Sequence, residues 1–165
     1  MTTPRRIAVP IRYVRKVLQP GETIVYSTKL HWIIFWRAIV LIIISIILAV
    51  SAWYTAENQN LSLALVIAAI IFALLALSSA FGKFIKQRTT ELAVTDRRVI
   101  YKEGLIARRT LEMNRSRVES VDVYQSVLGR LLGFGTITPR GTGGSLEPMH
   151  NIDDPLTFRS YITAS

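Results

Sequence analysis

Two apolar runs, Ile33 to Tyr54 and Leu61 to Phe81, constrain this chain more than any other feature. The first has 22 residues and one charge, Arg37, near its start; the second has 21 residues and none. As helices, each is about 30 Å long, the thickness of a bilayer's hydrocarbon core. Twelve residues of the second run are Leu, Ile, Val or Phe. They favour insertion by roughly 4–7 kcal/mol before polar penalties. A pair of buried core helices would need apolar surroundings, and no other segment supplies them. A signal peptide is not indicated, because the first run begins past residue 30 and a second follows it.

Aromatic residues mark the ends of the first run. Trp32, Phe35 and Trp36 stand at one end, with Trp53 and Tyr54 at the other. Trp32 and Trp53 are about 31 Å apart along a helix, so both reach an interface. Trp32, Trp36, Arg37, Trp53 and Tyr54 are therefore the expected membrane anchors, with Arg37 snorkelling to the headgroups. The connection Thr55–Asn60 has no Lys or Arg, whereas both outer flanks are rich in them. This asymmetry predicts both termini in the cytoplasm and the short loop outside. Ala64, Ala68, Ala76 and Ala80 recur at multiples of four, as do Ser45 and Ala49, a spacing that lets helices approach closely.

The net charge of +9 would suit a nucleic-acid partner if it lay on a folded domain. It does not. Residues 1–32 carry six basic side chains and one acid, and residues 82–90 carry three Lys or Arg. Residues 91–165, the largest polar region, hold ten basic and nine acidic side chains. The excess flanks the apolar runs, so no nucleic-acid partner is expected. The absence of Cys excludes disulfides, thiolate metal sites and a Cys nucleophile.

Before the first run, Ile11, Val14, Val17 and Leu18 fall on one helical side, with Arg12, Arg15 and Lys16 on another. Two placements satisfy this short basic amphipathic helix: an anionic leaflet, or the rest of the protein. Gln19-Pro20-Gly21-Glu22 reads as a turn, and Thr23–Lys29 as a strand. Six strands are expected after the second run, at about 91–95, 98–103, 105–113, 118–124, 135–139 and 145–149. A helix over Val127–Leu132 is capped by Ser126 and ended by Gly133. Asp154 caps a final helix with Pro155 at its first position, and Phe158, Tyr161 and Ile162 form its buried side. Leu111, Val121 and Val123 are expected core residues.

The order of these pieces resembles the bacterial PH-domain family of small membrane proteins. The resemblance runs through Thr89-Thr90-Glu91-Leu92-Ala93-Val94-Thr95-Asp96-Arg97-Arg98-Val99-Ile100 and Lys102-Glu103-Gly104-Leu105-Ile106. It continues in Arg117-Val118-Glu119-Ser120-Val121, Gln125-Ser126-Val127-Leu128-Gly129-Arg130-Leu131-Leu132-Gly133 and Gly141-Thr142-Gly143-Gly144. Ile152, Asp154-Pro155 and Phe158-Arg159 also fit, as do Leu18-Gln19-Pro20-Gly21-Glu22 and Leu30-His31-Trp32 upstream. It implies a PH-like barrel with a C-terminal helix behind a two-helix anchor, and no defined catalytic activity. Such a barrel needs seven strands, so Thr23–Lys29 is expected to join it as the seventh. Ile24 and Tyr26 would then share one face. Pro139 departs from the pattern and predicts an edge or a bulge there.

The expected fold class is thus a membrane protein of α+β type: a transmembrane helical hairpin plus a PH-like antiparallel barrel or bent sheet closed by a helix. The expected divisions are a basic cytoplasmic segment over 1–32, the hairpin over 33–81 (33–54 and 61–81), and a cytoplasmic PH-like domain over 86–165. Gly141–Gly144 lacks the Lys-Ser/Thr pair and long helix of a phosphate-binding loop and reads as a hairpin tip. His31 is expected at the membrane interface and His150 in a loop. No catalytic set, cofactor motif or metal-ligand spacing appears, so a non-enzyme is expected. Arg97, Arg98, Lys102, Arg108, Arg109 and Arg117 are the candidate contacts for a protein partner, a second copy, or anionic lipid headgroups. The leading expectation is an interaction module of the bacterial inner membrane, with lipid-headgroup binding by the basic faces as the alternative.

Overall fold

The computed structural model describes residues 11–105, 107–142, 144–145 and 147–164. The expectations for residues 1–10, Ile106 and Gly143 lie outside them. The chain divides into two compact units: residues 1–31 with 86–165, and residues 32–85.

The second unit is helical. A turn of 3-10 helix, Trp32–Phe35, leads into α2, Trp36–Tyr54, and α3 runs Gln59–Thr89. Both helices are long and apolar enough to cross a membrane. The loop is shorter than the expected Thr55–Asn60, because α3 begins at Gln59 and Asn58 caps it by accepting from the Leu61 N–H at 3.3 Å. At its other end α3 continues past Phe81 to Thr89, with Lys86 and Arg88 in the last turn, where cations suit the helix dipole.

The less exposed positions of both helices recur three and four residues apart. They include Ala38, Leu41, Ser45, Leu48 and Ala52 on α2, and Ser62, Leu65, Ala69, Phe72, Ala76 and Ser79 on α3. Of the small residues expected to let the helices approach, Ala76 is buried and Ala68 and Ala80 are half-buried, whereas Ala49 and Ala64 are exposed. Two hydroxyls join the two helices: Ser45 Oγ donates to the Ala69 carbonyl at 2.8 Å, and Ser62 Oγ to the Ala52 carbonyl at 3.1 Å. Ala38 and Ala76 are both buried. The outward faces are Ile, Val and Leu.

The first unit is α+β. Its elements are α1 (Arg12–Val17), β1 (Ile24–Thr28), β2 (Glu91–Thr95), β3 (Arg98–Glu103), β4 (Arg109–Asn114), β5 (Val118–Tyr124), α4 (Val127–Leu132), β6 (Phe134–Gly141), β7 (Gly144–Ser145), β8 (Met149–Asp153) and α5 (Pro155–Thr163). β1 pairs antiparallel with β2, as the strand count predicts. The facing is corrected. Ile24 lies opposite Thr95 and Tyr26 opposite Val94, so a bulge separates them. It sends Ile24 to the α1 side of the sheet and Tyr26 to the other, against Phe158 and Tyr161.

The strands do not close into a barrel. They form two four-stranded sheets, β1-β2-β3-β4 and β5-β6 with β7 and β8 both on β6. A 3-10 turn, Arg115–Arg117, breaks the chain between β4 and β5 and leaves each as an edge. One corner is joined: Leu30 bridges Ile152, the Asp153 N–H donates to the Lys29 carbonyl at 3.0 Å, and the His31 N–H to the Asn151 carbonyl at 2.7 Å. The last long strand is 149–153 rather than 145–149, which places His150 on β8 rather than in a loop. Pro139 is neither on an edge strand nor in a bulge. It lies in central β6, where the second ladder is interrupted between Ile137, paired to β8, and Arg140, paired to β7.

The main core lies between the sheets and α5, built from Leu92, Val94, Val121, Ile137, Ile152 and Phe158 among others. Leu111 and Val123 are only partly buried against it. A second cluster covers the other face of the first sheet, where Ile11, just before α1, and Val14 on it meet Ala93 and Ile100. The amphipathic helix therefore packs on the protein, and β2 is buried on both faces. Neighbouring positions on α5 test this layering. Phe158→Ala should destabilise the unit by about 3–5 kcal/mol, whereas Leu156→Ala, on the exposed side, should stay within about 0.5 kcal/mol. Urea denaturation of the detergent-solubilised full chain, followed by near-ultraviolet circular dichroism, measures both.

Candidate functional site

Gln19-Pro20-Gly21-Glu22 forms a tight turn closed by the Glu22 N–H donating to the Gln19 carbonyl at 2.9 Å. Gly21 supplies the positive φ of 79° that the third position of a type II turn requires. The turn aims the Glu22 carboxylate at Arg98 on β3. Arg98 donates through Nε and Nη2 to the two carboxylate oxygens, both at 2.9 Å, so the pair is bidentate. Thr95 Oγ1 donates to the same carboxylate at 2.7 Å, and the Gln19 N–H at 2.8 Å. Arg98 also donates to Glu112 at 2.6 Å and to the Val17 carbonyl at the end of α1 at 2.7 Å. Burial opposes ionisation of Glu22, but the hydrogen bonds from Arg98, Gln19 and Thr95 outweigh it and hold its pKa at about 2. The same pairing raises the Arg98 pKa.

The opposite end of α1 is held by a second carboxylate. Glu91, the first residue of β2, accepts from the Tyr13 N–H at 2.9 Å and the Val14 N–H at 3.1 Å. Ile11 offers no side-chain cap, so this acid from another strand satisfies the orphan donors of the first turn. Neither acid stands out in the sequence as a partner of the helix. The available signal is that Glu22 is the one acid in an otherwise basic segment.

The six candidate contacts do not converge. Arg97 is exposed and reaches Gln19 at 3.4 Å, beside an open groove of about 510 Å³ also lined by Asp96, Glu112, Asn114 and Arg115. Arg98 is committed to the internal network. Lys102 is buried and donates to the Thr89 carbonyl at 2.7 Å, closing the end of α3. Arg109 pairs with Glu147 at 2.6 Å on the surface, and Arg108 is exposed beside it. Arg117 is exposed in the 3-10 turn. Because Arg109 is in register with Glu103 and Arg98 with Asn114, the two Arg pairs sit at opposite ends of the β3–β4 hairpin, roughly 16 Å apart. A further network ties Glu103 to Lys86 at 2.8 Å and to the Tyr101 hydroxyl. Burial opposes ionisation of Glu103, but the Lys86 and Tyr101 hydrogen bonds hold its pKa down.

The expected anchors all lie in the helical unit. Trp32, Trp36, Trp53 and Tyr54 are exposed, and the Arg37 guanidinium lies 5.7 Å from the Trp36 ring centroid. His31 is not an exposed interfacial residue: it is buried, its ring stacked on Phe134 at 5.3 Å. His150 is exposed and within 3.1 Å of Thr136 Oγ1.

The Glu22–Arg98 pair has a signed pH dependence. The folded pKa of Glu22 is about 2 against an ordinary 4.5, so its contribution to stability is present above pH 4.5 and lost as pH falls through about 2. Glu22→Gln should cost about 3–5 kcal/mol near neutral pH, because it leaves Arg98 buried with half its partners. The variant should also lose less further stability than the wild type between pH 4.5 and 2. Urea midpoints across that range measure both effects.

A family model described as a bacterial PH domain matches residues 58–165, well over half of the chain. The match takes in β2 to β8, α4 and α5, and leaves out α1 and β1, which complete the same structural unit. No curated protein and no solved structure matches the chain. On the extent of the family match and the two antiparallel sheets with their terminal helix, the chain belongs to the bacterial PH domain family.

Proposed function

We propose that this chain is a membrane-anchored PH-like interaction module, an accessory or scaffold subunit at the cytoplasmic face of the bacterial inner membrane. The observation that carries the reading is the outward surface of α2 and α3. Only 11% of each apolar stretch is buried. A core helix of a soluble protein buries most of its apolar surface, whereas these faces match lipid. PH-like domains are typically non-catalytic interaction modules, and the groove beside Arg97 mixes Arg97 and Arg115 with Asp96 and Glu112. That mixture suits a protein surface of both signs better than a phosphate. The separation of the two Arg pairs likewise weighs against one headgroup pocket.

The topology follows from the flanking charges. Both termini lie in the cytoplasm, and the loop containing Glu57 and Asn58 lies outside. The natural absence of Cys provides the background for a test. An impermeant maleimide should label Asn58→Cys in intact cells and Thr142→Cys only after the inner membrane is opened. The reverse pattern would invert the topology.

A partner contact should involve the exposed cations Arg108 and Arg109 at the start of β4. Reversing Arg108 and Arg109 to Glu should weaken association with a second copy or a co-purifying subunit, most strongly at low salt. The domain should stay folded, since exposed charges contribute within about 1 kcal/mol. Native mass of the full chain in mild detergent reads the association. A monomer without partner in both forms would remove the support for this reading.

A further inference from the structure

We propose that α4 of the PH-like domain is an apolar foot that enters the interfacial region of the same bilayer the anchor crosses. The helix is inverted relative to an ordinary surface helix. Its inward contact is made by a glycine: Gly129 is buried, and a Cβ there would stand 2.7 Å from the Phe134 carbonyl oxygen. Gly135, just beyond, is as tightly seated, with a Cβ falling 2.8 Å from both the Tyr124 carbonyl and the Gln125 side chain. This close seating leaves no space beneath the helix for Leu or Val, so its large side chains point out. Val127 is 85% exposed and Leu131 is 79% exposed, with Leu128 and Tyr124 also exposed beside them.

Polar contacts hold the helix in that orientation. Ser126 Oγ accepts from the Gly129 N–H at 3.1 Å. Gln125 Nε2 donates to the carbonyls of Phe134 at 3.1 Å and Gly129 at 3.4 Å. Gly133 ends the helix in the left-handed region, with φ of 78°. An exposed apolar turn fixed this rigidly is a binding element rather than a frayed segment.

Three observations commit the occupant to lipid. First, α4 lies at the pole of the domain where the chain leaves for the apolar helices. Phe134, two residues after α4, stacks on His31, and Trp32 begins the apolar unit. Gln87 Nε2 donates to the Leu30 carbonyl at 3.0 Å, so the departing and returning segments are side by side at that pole. Second, residues 124–134 contain no acid and one cation, Arg130, which is exposed and suits an anionic headgroup. Third, a six-residue helix with three or four large apolar side chains is too small for the core of a standard protein interface but enough for shallow interfacial insertion. The foot would fix the rotation of the domain about its two connections and so present a constant face to a partner.

This inference rests on the membrane-anchor reading above, and the test separates the two. The single substitutions Val127→Cys, Leu131→Cys, Glu119→Cys and Leu74→Cys each carry an environment-sensitive fluorophore on the full chain. Each protein is reconstituted in vesicles of phosphatidylcholine and phosphatidylglycerol, with and without doxyl-labelled phosphatidylcholine. The labels at 127 and 131 should lose intensity with the doxyl lipid and be shielded from aqueous iodide. The label at 119, at the other end of β5 from Tyr124, should respond only to iodide. Quenching of the 131 label by iodide alone overturns the proposal, because the face is then in water. Shielding from both quenchers also overturns it, because a protein or second copy then covers the helix. Failure of doxyl lipid to quench the Leu74 label, on the outward face of α3, overturns the anchor reading itself.

Discussion

The ion pair between Glu22 and Arg98 holds together two segments that the sequence keeps 76 residues apart. It anchors the C-terminal end of α1 on the outer side of the first sheet. The carboxylate is fixed by its own turn and by Thr95, so it is an immobile acceptor rather than a side chain searching for a partner. Arg98 then has donors left for the Val17 carbonyl and for Glu112, and it binds the end of α1 to the edge strand β4. With Glu91 holding the first turn, α1 is clamped at both ends by charged groups of β2 and β3. A six-residue helix has little intrinsic stability, and its persistence here is a tertiary effect.

That clamp explains the texture of β2 and β3. A strand in an antiparallel sheet with one wet face alternates apolar and polar residues. Here β2 reads Glu-Leu-Ala-Val-Thr with every residue buried, because Leu92 and Val94 face the main core while Ala93 faces α1. Among the described residues, the two sheets are joined at the corner where Leu30 meets Ile152. On the far side the 3-10 turn at Arg115–Arg117 redirects the chain before β5 can pair with β4. The result keeps the hydrophobic layering of a barrel and leaves β4 and β5 as edges on that side, each carrying charged residues of the kind that discourage edge-to-edge aggregation.

Local chemistry was legible in the sequence wherever one segment determined the outcome. The cap at Ser126, the stop at Gly133, Pro155 at the start of α5 and the burial of Phe158 and Ile162 all depend on neighbouring residues. Elements set by distant partners were not. The bulge that turns Ile24 away from Tyr26 depends on Thr95, and the shift of the last strand to 149–153 depends on pairing with Phe134 and Gly135. The candidate cations show the same division. Arg109 and Arg117 read as exposed and are exposed. Arg98 and Lys102 carry the same local signature, yet their fates are set by Glu22 and by the carbonyl of Thr89. Charge type is visible in a sequence, whereas the distant acceptor that consumes it is not.

The interruption of the sheet by the apolar hairpin has a consequence for assembly. β1 and β2 are adjacent strands with more than sixty residues of chain between them. Were that chain an unstructured loop, closing it would cost roughly 4 kcal/mol from its length alone. The hairpin removes most of that cost. Its helices run antiparallel, and Ser45 and Ser62 lock their register, so its two ends emerge together once it has formed. Pairing of β1 with β2 then becomes almost a local event, although the contact is distant in sequence. On this account the hairpin is also a folding device for the domain.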